Sequence, residues 1–304
     1  MSTALALVLV LALAACGDDD SGGDKGSDQP GKGKPPVTLG SKSFTEQTIL
    51  GQLYAQALQA KGYTINVKAN IGQTEIADKA LTSNKVTMYP EYTGTTLSVV
   101  AGEKTKPKDE QGAYDAAKQF YEGRGQTLSA KTPFFNSDGV AVTKEFAEQN
   151  SLKALADLKA QGDKVTLAGA PEFATREEGL LGLKSVYGLT ALKFKPLAIG
   201  LQYKALDSGS VNAIEVFTTD GALASGKYTV LEDPEKVFGF QNVAMVMPKD
   251  LPAKQGPEFV ETIDAVSAKL TTEAMQKMNA AVDVDKDQPA AVAKSFLEAN
   301  DLLK

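Results

Sequence analysis

The chain has 304 residues, with 32 Lys and Arg against 38 Asp and Glu for a net charge of −6, one cysteine, no histidine and no tryptophan. The missing histidines exclude His-based acid–base and nucleophilic catalysis and remove the commonest transition-metal ligand, which argues against zinc or manganese capture. The lone cysteine excludes an intrachain disulfide, and an acidic balance with no long basic run argues against nucleic acid as a partner.

Residues 1–15, MSTALALVLVLALAA, carry no charged side chain. The run is too short to span a bilayer and ends in small residues, as the apolar region of a secretory signal does. Leu13-Ala14-Ala15-Cys16 resembles the bacterial lipobox, which implies cleavage before Cys16 and lipidation of its thiol. Residues 16–36 then form a polar linker rich in Gly, Asp, Lys and Pro, expected to be disordered because it has too little apolar surface to bury. A lipidated cysteine on such a tether implies an extracytoplasmic protein anchored to the outer face of the cell membrane.

From Val37 onward, strand and helix patterns alternate. VTLGSK predicts a strand, Ser43 and Glu46 stand at capping-box spacing, and Ile49, Leu50, Leu53, Tyr54, Ala57 and Leu58 form one apolar helical face that stops at Gly62. TINVKANI predicts a second strand, GQTEIADKALTSN a second helix, and VTMY a third strand that Pro90 and Glu91 are expected to halt. The order β-α-β-α-β argues for a largely parallel sheet covered by helices on both faces. The plan then recurs: Ala80-Leu81-x-Ser83-x-x-Val86 returns as Ala205-Leu206-x-Ser208-x-x-Val211, and VTL at 37–39 returns at 165–167. The first pair sets an offset of 125 residues, which carries Tyr92-Thr93 onto Phe217-Thr218. Near the carboxyl end, FVETIDAVSAKL and PAAVAKSFLEANDLL have the pattern of amphipathic helices packing on a sheet.

Two α/β lobes of this kind imply a cleft, with ligand beyond the carboxyl ends of the strands. Tyr92 and Phe217 would supply one ring from each side. Facing aromatic rings suit a quaternary ammonium, at roughly 0.5–2 kcal/mol per ring; a plain core role for both rings remains open. Lys42 follows the first strand, and Arg176 lies in the equivalent loop of the second copy, in PEFATREEG. Cations at strand-to-helix junctions favour a carboxylate, and Thr95 could donate a hydroxyl to it. No P-loop, dinucleotide fingerprint or G-x-S-x-G elbow occurs, so neither a cofactor nor an enzyme is expected. Glu177 and Glu178 are adjacent in a helical stretch and should diverge rather than act together.

The stretches GSKSFTEQTILGQLYAQAL, MYPEYTGTTL, PEFATREEGLLGLKSVYGL and VFTTDGAL resemble the substrate-binding proteins of ABC importers for glycine betaine, choline and related osmoprotectants. The resemblance implies a type II periplasmic-binding-protein fold, each lobe a mostly parallel sheet flanked by helices. Residues 37–134 and 233–304 would form lobe one and residues 135–232 lobe two. It also implies a cage of tyrosines around a trimethylammonium group, with Lys, Arg and Thr on the carboxylate, and Lys42, Tyr92, Thr95 and Arg176 match that pattern. Phe217 and Phe240 stand where tyrosines are usual, and Asp138 stands at a further cage position, with Phe134 or Phe135 available to fill the space. Asp138 has three readings: countercharge for a cation such as choline, acceptor for an N–H of a ring-bearing betaine, or an aspartate bonding its own turn in NSDG. The implied partner is a membrane permease, with ATP hydrolysed in a separate subunit and the tethered carrier working as a monomer. A binding lipoprotein for another small polar ligand, such as an amino acid, is the alternative, and an exported hydrolase a more distant one.

Overall fold

The structure is a computed structural model that describes residues 29–103 and 107–304. Residues 1–28, which include Cys16 and most of the polar linker, lie outside the described residues.

Two sheets with the same strand order organise the chain. In the first, β1 (Val37–Gly40) pairs in parallel with β2 (Ile65–Lys68). A parallel bridge between Leu39 and Met88 attaches them to the segment that becomes β3 (Tyr89–Tyr92). The last strand of the chain, Val243–Pro248, runs antiparallel between β3 and β4 (Gln126–Leu128). The second sheet contains β5 (Asp138–Thr143), β6 (Thr166–Gly169), β7 (Lys193–Pro196), β8 (Ala213–Phe217) and β9 (Tyr228–Val230) in the spatial order β7-β6-β8-β5-β9. The final strand of the chain, β10, occupies in the first sheet the place β5 occupies in the second, and each is antiparallel to both neighbours. The internal similarity legible in the sequence is therefore a repeated topology, with β3 and β8 as counterparts.

Both faces of each sheet are buried, because alternate side chains of a strand point to opposite sides. In β10, Val243, Met245 and Met247 join one apolar cluster while Ala244 and Val246 join another. In β5, Val140 and Val142 face one cluster and Ala141 the other. Helix α1 (Thr45–Ala60) presents its apolar face as the sequence predicts, with Ile49, Leu50, Leu53, Tyr54, Ala57 and Leu58 all buried. Gly62, at φ +85, turns the chain out of that helix. The carboxyl-terminal helices pack in the same cluster, through Phe259, Ile263, Met275 and Leu297 against α1. Val237 and Phe238 belong to the cluster of the second sheet, so the chain still packs there beyond the return expected at 233.

Two local expectations are overturned. The capping box at Ser43 and Glu46 does not form: the Ser43 hydroxyl accepts from the Gly72 N–H at 3.0 Å, Glu46 turns inward, and Phe44 occupies the N-cap with no side-chain bond. Tertiary partners outbid the helix end for both residues. The third strand does not halt at Pro90 either, since Pro90 pairs with Met245 inside the ladder. Its missing N–H would point toward β1. There the ladder has already ended at the bond from the Gly40 N–H to the Met88 carbonyl, so no acceptor is left waiting. No helix among the described residues is long and apolar enough to cross a membrane.

Candidate functional site

β3 ends at Tyr92 and its counterpart β8 at Phe217, while Lys42 follows β1 and Arg176 follows β6. The four sit beyond equivalent strand ends, and the two sheets bring those ends together. Lys42, Tyr92, Thr95, Asp138, Arg176 and Phe217 line one cavity between them. Phe240 does not. It lines a separate hollow beside Leu97, Ser98 and Glu103, and its carbonyl accepts from the Thr93 hydroxyl at 3.0 Å. The next residue, Gln241, reaches the cavity in its place. A Cβ on Gly94 would lie 2.8 Å from both the Phe240 carbonyl oxygen and the Gln241 amide nitrogen, so glycine is needed for this approach.

The basic end is tightly built. Lys42 is buried, with its Nζ 2.5 Å from Glu91 Oε1 and 3.2 Å from Thr74 Oγ1. Burial depresses the pKa of this ammonium, Glu91 works in the opposite direction, and the nearby Arg176 adds to the depression. An ammonium has three donors, and two are spoken for, which leaves one for a ligand. Arg176 stands 3.6 Å from Glu75 as an ion pair, yet its buried terminal nitrogen has no hydrogen-bond partner among the described residues. Thr95 behaves otherwise than expected. Its N–H and its hydroxyl both donate to Gln241 Oε1, at 2.9 and 3.1 Å, so its one hydroxyl hydrogen is already in use.

The aromatic part differs in a way that matters. Tyr92 and Phe217 are joined by a third ring, Phe44, which stacks against both. Its ring centroid is 6.2 Å from Tyr92 at an interplanar angle of 22° and 5.9 Å from Phe217 at 15°. The Lys42 ammonium sits 4.5 Å from the centroid of Tyr92. A cation held at that distance by two faces would need rings about 9 Å apart, so neither gap beside Phe44 admits one. Phe44 is a site residue the sequence reading passed over. The available signal was an aromatic residue at a helix start, where polar N-caps are the rule. Phe134 is buried in the core and Phe135 is exposed, so neither fills the cage.

Asp138 opens β5 opposite Phe217 rather than closing a turn, which removes the turn reading. Its carboxyl is pushed up to about 6, chiefly by burial, while a hydrogen bond with Glu215 and the charges of Arg176 and Lys42 oppose the rise. Glu215, buried on β8, is raised well above the usual range by burial and then by the charge of Asp138. Two carboxyls in contact cannot both ionise cheaply, so the pair titrates as a unit around a shared proton. Glu215 was also missed, although an acid inside the apolar strand AIEVF is itself a signal.

Glu46 ties the site together. Its Oε1 accepts from the Tyr92 hydroxyl and the Asn136 amide, each at 2.8 Å, and its Oε2 from the Thr219 hydroxyl at 2.5 Å and the Asn279 amide at 3.2 Å. Burial raises its pKa, and the four donors counter that by favouring the charged form. Tyr92 ends β3, Asn136 precedes β5, Thr219 follows β8, and Asn279 lies on the carboxyl-terminal helix Thr272–Asp283. Ser98 donates to Glu178 at 2.6 Å and closes a second link across the cleft.

A family profile for the substrate binding domain of ABC-type glycine betaine transport systems matches residues 35–299. A glycine-betaine-binding protein of Pseudomonas aeruginosa is 34% identical over 278 residues, covering 88% of each chain. The ergothioneine transport permease/ergothioneine binding protein of Helicobacter pylori is 29% identical over 266 residues, covering 86% of this chain and 47% of that one. Among solved structures, one titled as a glycine betaine/carnitine/choline ABC transporter superposes with a TM-score of 0.74 at 27% identity, covering 88% of this chain and 100% of the other. With two sheets of one topology meeting at a cleft that is basic on one side and aromatic within, the chain belongs to the family of substrate-binding domains of ABC-type glycine betaine transport systems.

Proposed function

We propose that the protein captures a zwitterionic quaternary amine, glycine betaine or a longer betaine, and delivers it to a membrane permease. The observation that carries this reading is the Arg176 terminal nitrogen, buried, ion-paired with Glu75 at 3.6 Å and without a hydrogen-bond partner among the described residues, in the cavity that also holds Lys42 and the Tyr92 and Phe217 rings. A ligand carboxylate would satisfy that nitrogen and the spare Lys42 donor with charge-assisted bonds. Thr95 acts from behind, holding Gln241 in place. Lys42 and Tyr92 come from the lobe built on the first sheet, and Arg176, Asp138 and Phe217 from the lobe built on the second. A ligand touching both binds the closed form best and shifts the population toward it. The permease would recognise that closed form. The protein acts without a catalytic step, as a monomer outside the cell membrane, leashed by lipidated Cys16.

A second reading, choline as ligand, is favoured by the Asp138–Glu215 pair, which offers negative charge to a cation lacking a carboxylate. The deciding experiment is calorimetry with glycine betaine, choline, carnitine and ergothioneine. Glycine betaine or carnitine should bind most tightly, a preference for choline would select the second reading, and failure of all four would reject a quaternary-amine carrier.

A further inference from the structure

Lys42 is the part of the basic end whose charge is least secure. Its ammonium is buried, and burial and the neighbouring Arg176 both work against its proton. Two acceptors reach it from the protein: the Thr74 hydroxyl at 3.2 Å, from the helix Thr74–Thr82, and Glu91 Oε1 at 2.5 Å, from β3. Only the second is charged. Glu75, on the same helix as Thr74, helps from further off, but it is exposed and paired with Arg176. Asp138, on β5, also feels the Lys42 charge. Close countercharge for the ammonium therefore comes from Glu91.

Glu91 has no evident task except this one. It is 1% exposed within β3 and does not line the cavity. Its Oε1 takes both the Lys42 ammonium and the Tyr92 N–H, the latter at 2.7 Å, while its Oε2 is buried with no hydrogen-bond partner among the described residues. An acid buried in this way, with half of its acceptor capacity idle, depends on its cation as much as the cation depends on it. One oxygen thus joins the residue that follows β1 to the strand end that carries the Tyr92 ring, and the ammonium comes to rest 4.5 Å from the centroid of that ring. With Glu91 and Thr74 on two of its three protons, the third is left for the cavity.

We propose that Glu91 is the positioning residue of the carboxylate clamp: it keeps the buried Lys42 ammonium charged and aims its remaining proton at the ligand, without touching the ligand itself. The inference rests on the proposed function for the ligand carboxylate and adds what keeps the clamp cationic. Without Glu91 the ammonium would sit in the core beside a guanidinium, and a lysine in such a place gives up its proton readily. A neutral amine bonds a carboxylate more weakly than an ammonium does. Arg176 stays charged at any working pH, so the loss falls on Lys42. Removing Glu91 lowers the Lys42 pKa further, so betaine affinity should then fall as pH rises.

The test is calorimetry with glycine betaine at pH 7 and pH 9. The Asp138–Glu215 pair titrates in every form of the protein, so each variant is read against wild type over the same interval. Glu91→Gln keeps an acceptor for the Tyr92 N–H but not the charge. Its loss of affinity from pH 7 to pH 9 should exceed that of wild type at least tenfold. Adding Lys42→Gln removes the titrating group, so the double variant should bind weakly at both values and lose no more with pH than wild type does. Glu91→Asp keeps the charge one methylene further back. It should bind at least threefold more weakly than wild type, with the wild-type dependence on pH, and it decides the matter where Glu91→Gln does not fold. A Glu91→Gln profile parallel to wild type, an excess loss that persists in the double variant, or a Glu91→Asp protein with wild-type affinity or a steeper fall with pH would overturn the inference. Those results leave the proposed function standing as long as wild type binds glycine betaine. If wild type binds none of glycine betaine, choline, carnitine and ergothioneine, the proposed function falls, and this inference falls with it.

Discussion

Tyr92→Phe removes one oxygen and keeps the ring. That oxygen donates to Glu46 Oε1 at 2.8 Å in a buried setting, where no solvent replaces it. A hydrogen bond to a charged group contributes about 1.5–3 kcal/mol. Glu46 keeps its other three donors, so the charge stays solvated by the protein and the loss should remain within that range. For a chain of this size, about 2 kcal/mol corresponds to a fall in Tm of roughly 4–8 °C. Urea denaturation should show the midpoint moving with the slope unchanged, while calorimetry should find ligand affinity within twofold of wild type. Glu46→Gln completes a double-mutant cycle. A neutral acceptor at the same place lowers the worth of the Tyr92 hydroxyl to about 0.5–1.5 kcal/mol, so Tyr92→Phe should cost about half as much in that background. A Tyr92→Phe protein as stable as wild type, or one that instead loses ligand affinity, would refute the argument by placing the hydroxyl on the ligand.

Arg176→Ala should weaken glycine betaine by more than tenfold and choline by less than threefold, measured by calorimetry; equal losses would mean that no carboxylate is clamped. Thr95→Val should weaken glycine betaine by less than threefold, because its hydroxyl is committed to Gln241, and a loss above tenfold would show that it reaches the ligand instead. The Asp138–Glu215 pair gives up its first proton near pH 6 in the folded protein, against about 4 for either carboxyl when unfolded. The folded state therefore holds more protons between those values, and stability should fall as pH rises through that window. Asp138→Asn should lessen the fall in urea midpoints between pH 4 and 6 without abolishing it, because burial also pushes the Asp220 carboxyl up to about 6, and an unchanged slope would assign the titration to groups other than the pair.

The chain announces its architecture through local periodicity. The buried face of α1 and the recurrence of VTL and of the Ala-Leu-x-Ser pattern are properties of neighbouring residues. Neighbouring residues sense helix and strand geometry directly, so these features survive intact in the structure. Lys42 and Arg176 were legible for the same reason: each follows the matching strand of its copy, and the repeated topology carries both to one cavity. What tertiary structure alone decided is which third group stands beside two that meet at one cavity. Phe44 stacks on both Tyr92 and Phe217, Gln241 takes the Thr95 hydroxyl and reaches the cavity where Phe240 was expected, and Glu215 meets Asp138 only because β5 and β8 pair in a given register. Glu46 has capping-box spacing in the sequence, yet four donors drawn from across the chain outcompete a helix end for its oxygens. A side chain settles on its strongest partners, and in a closed cleft those partners lie far away along the sequence.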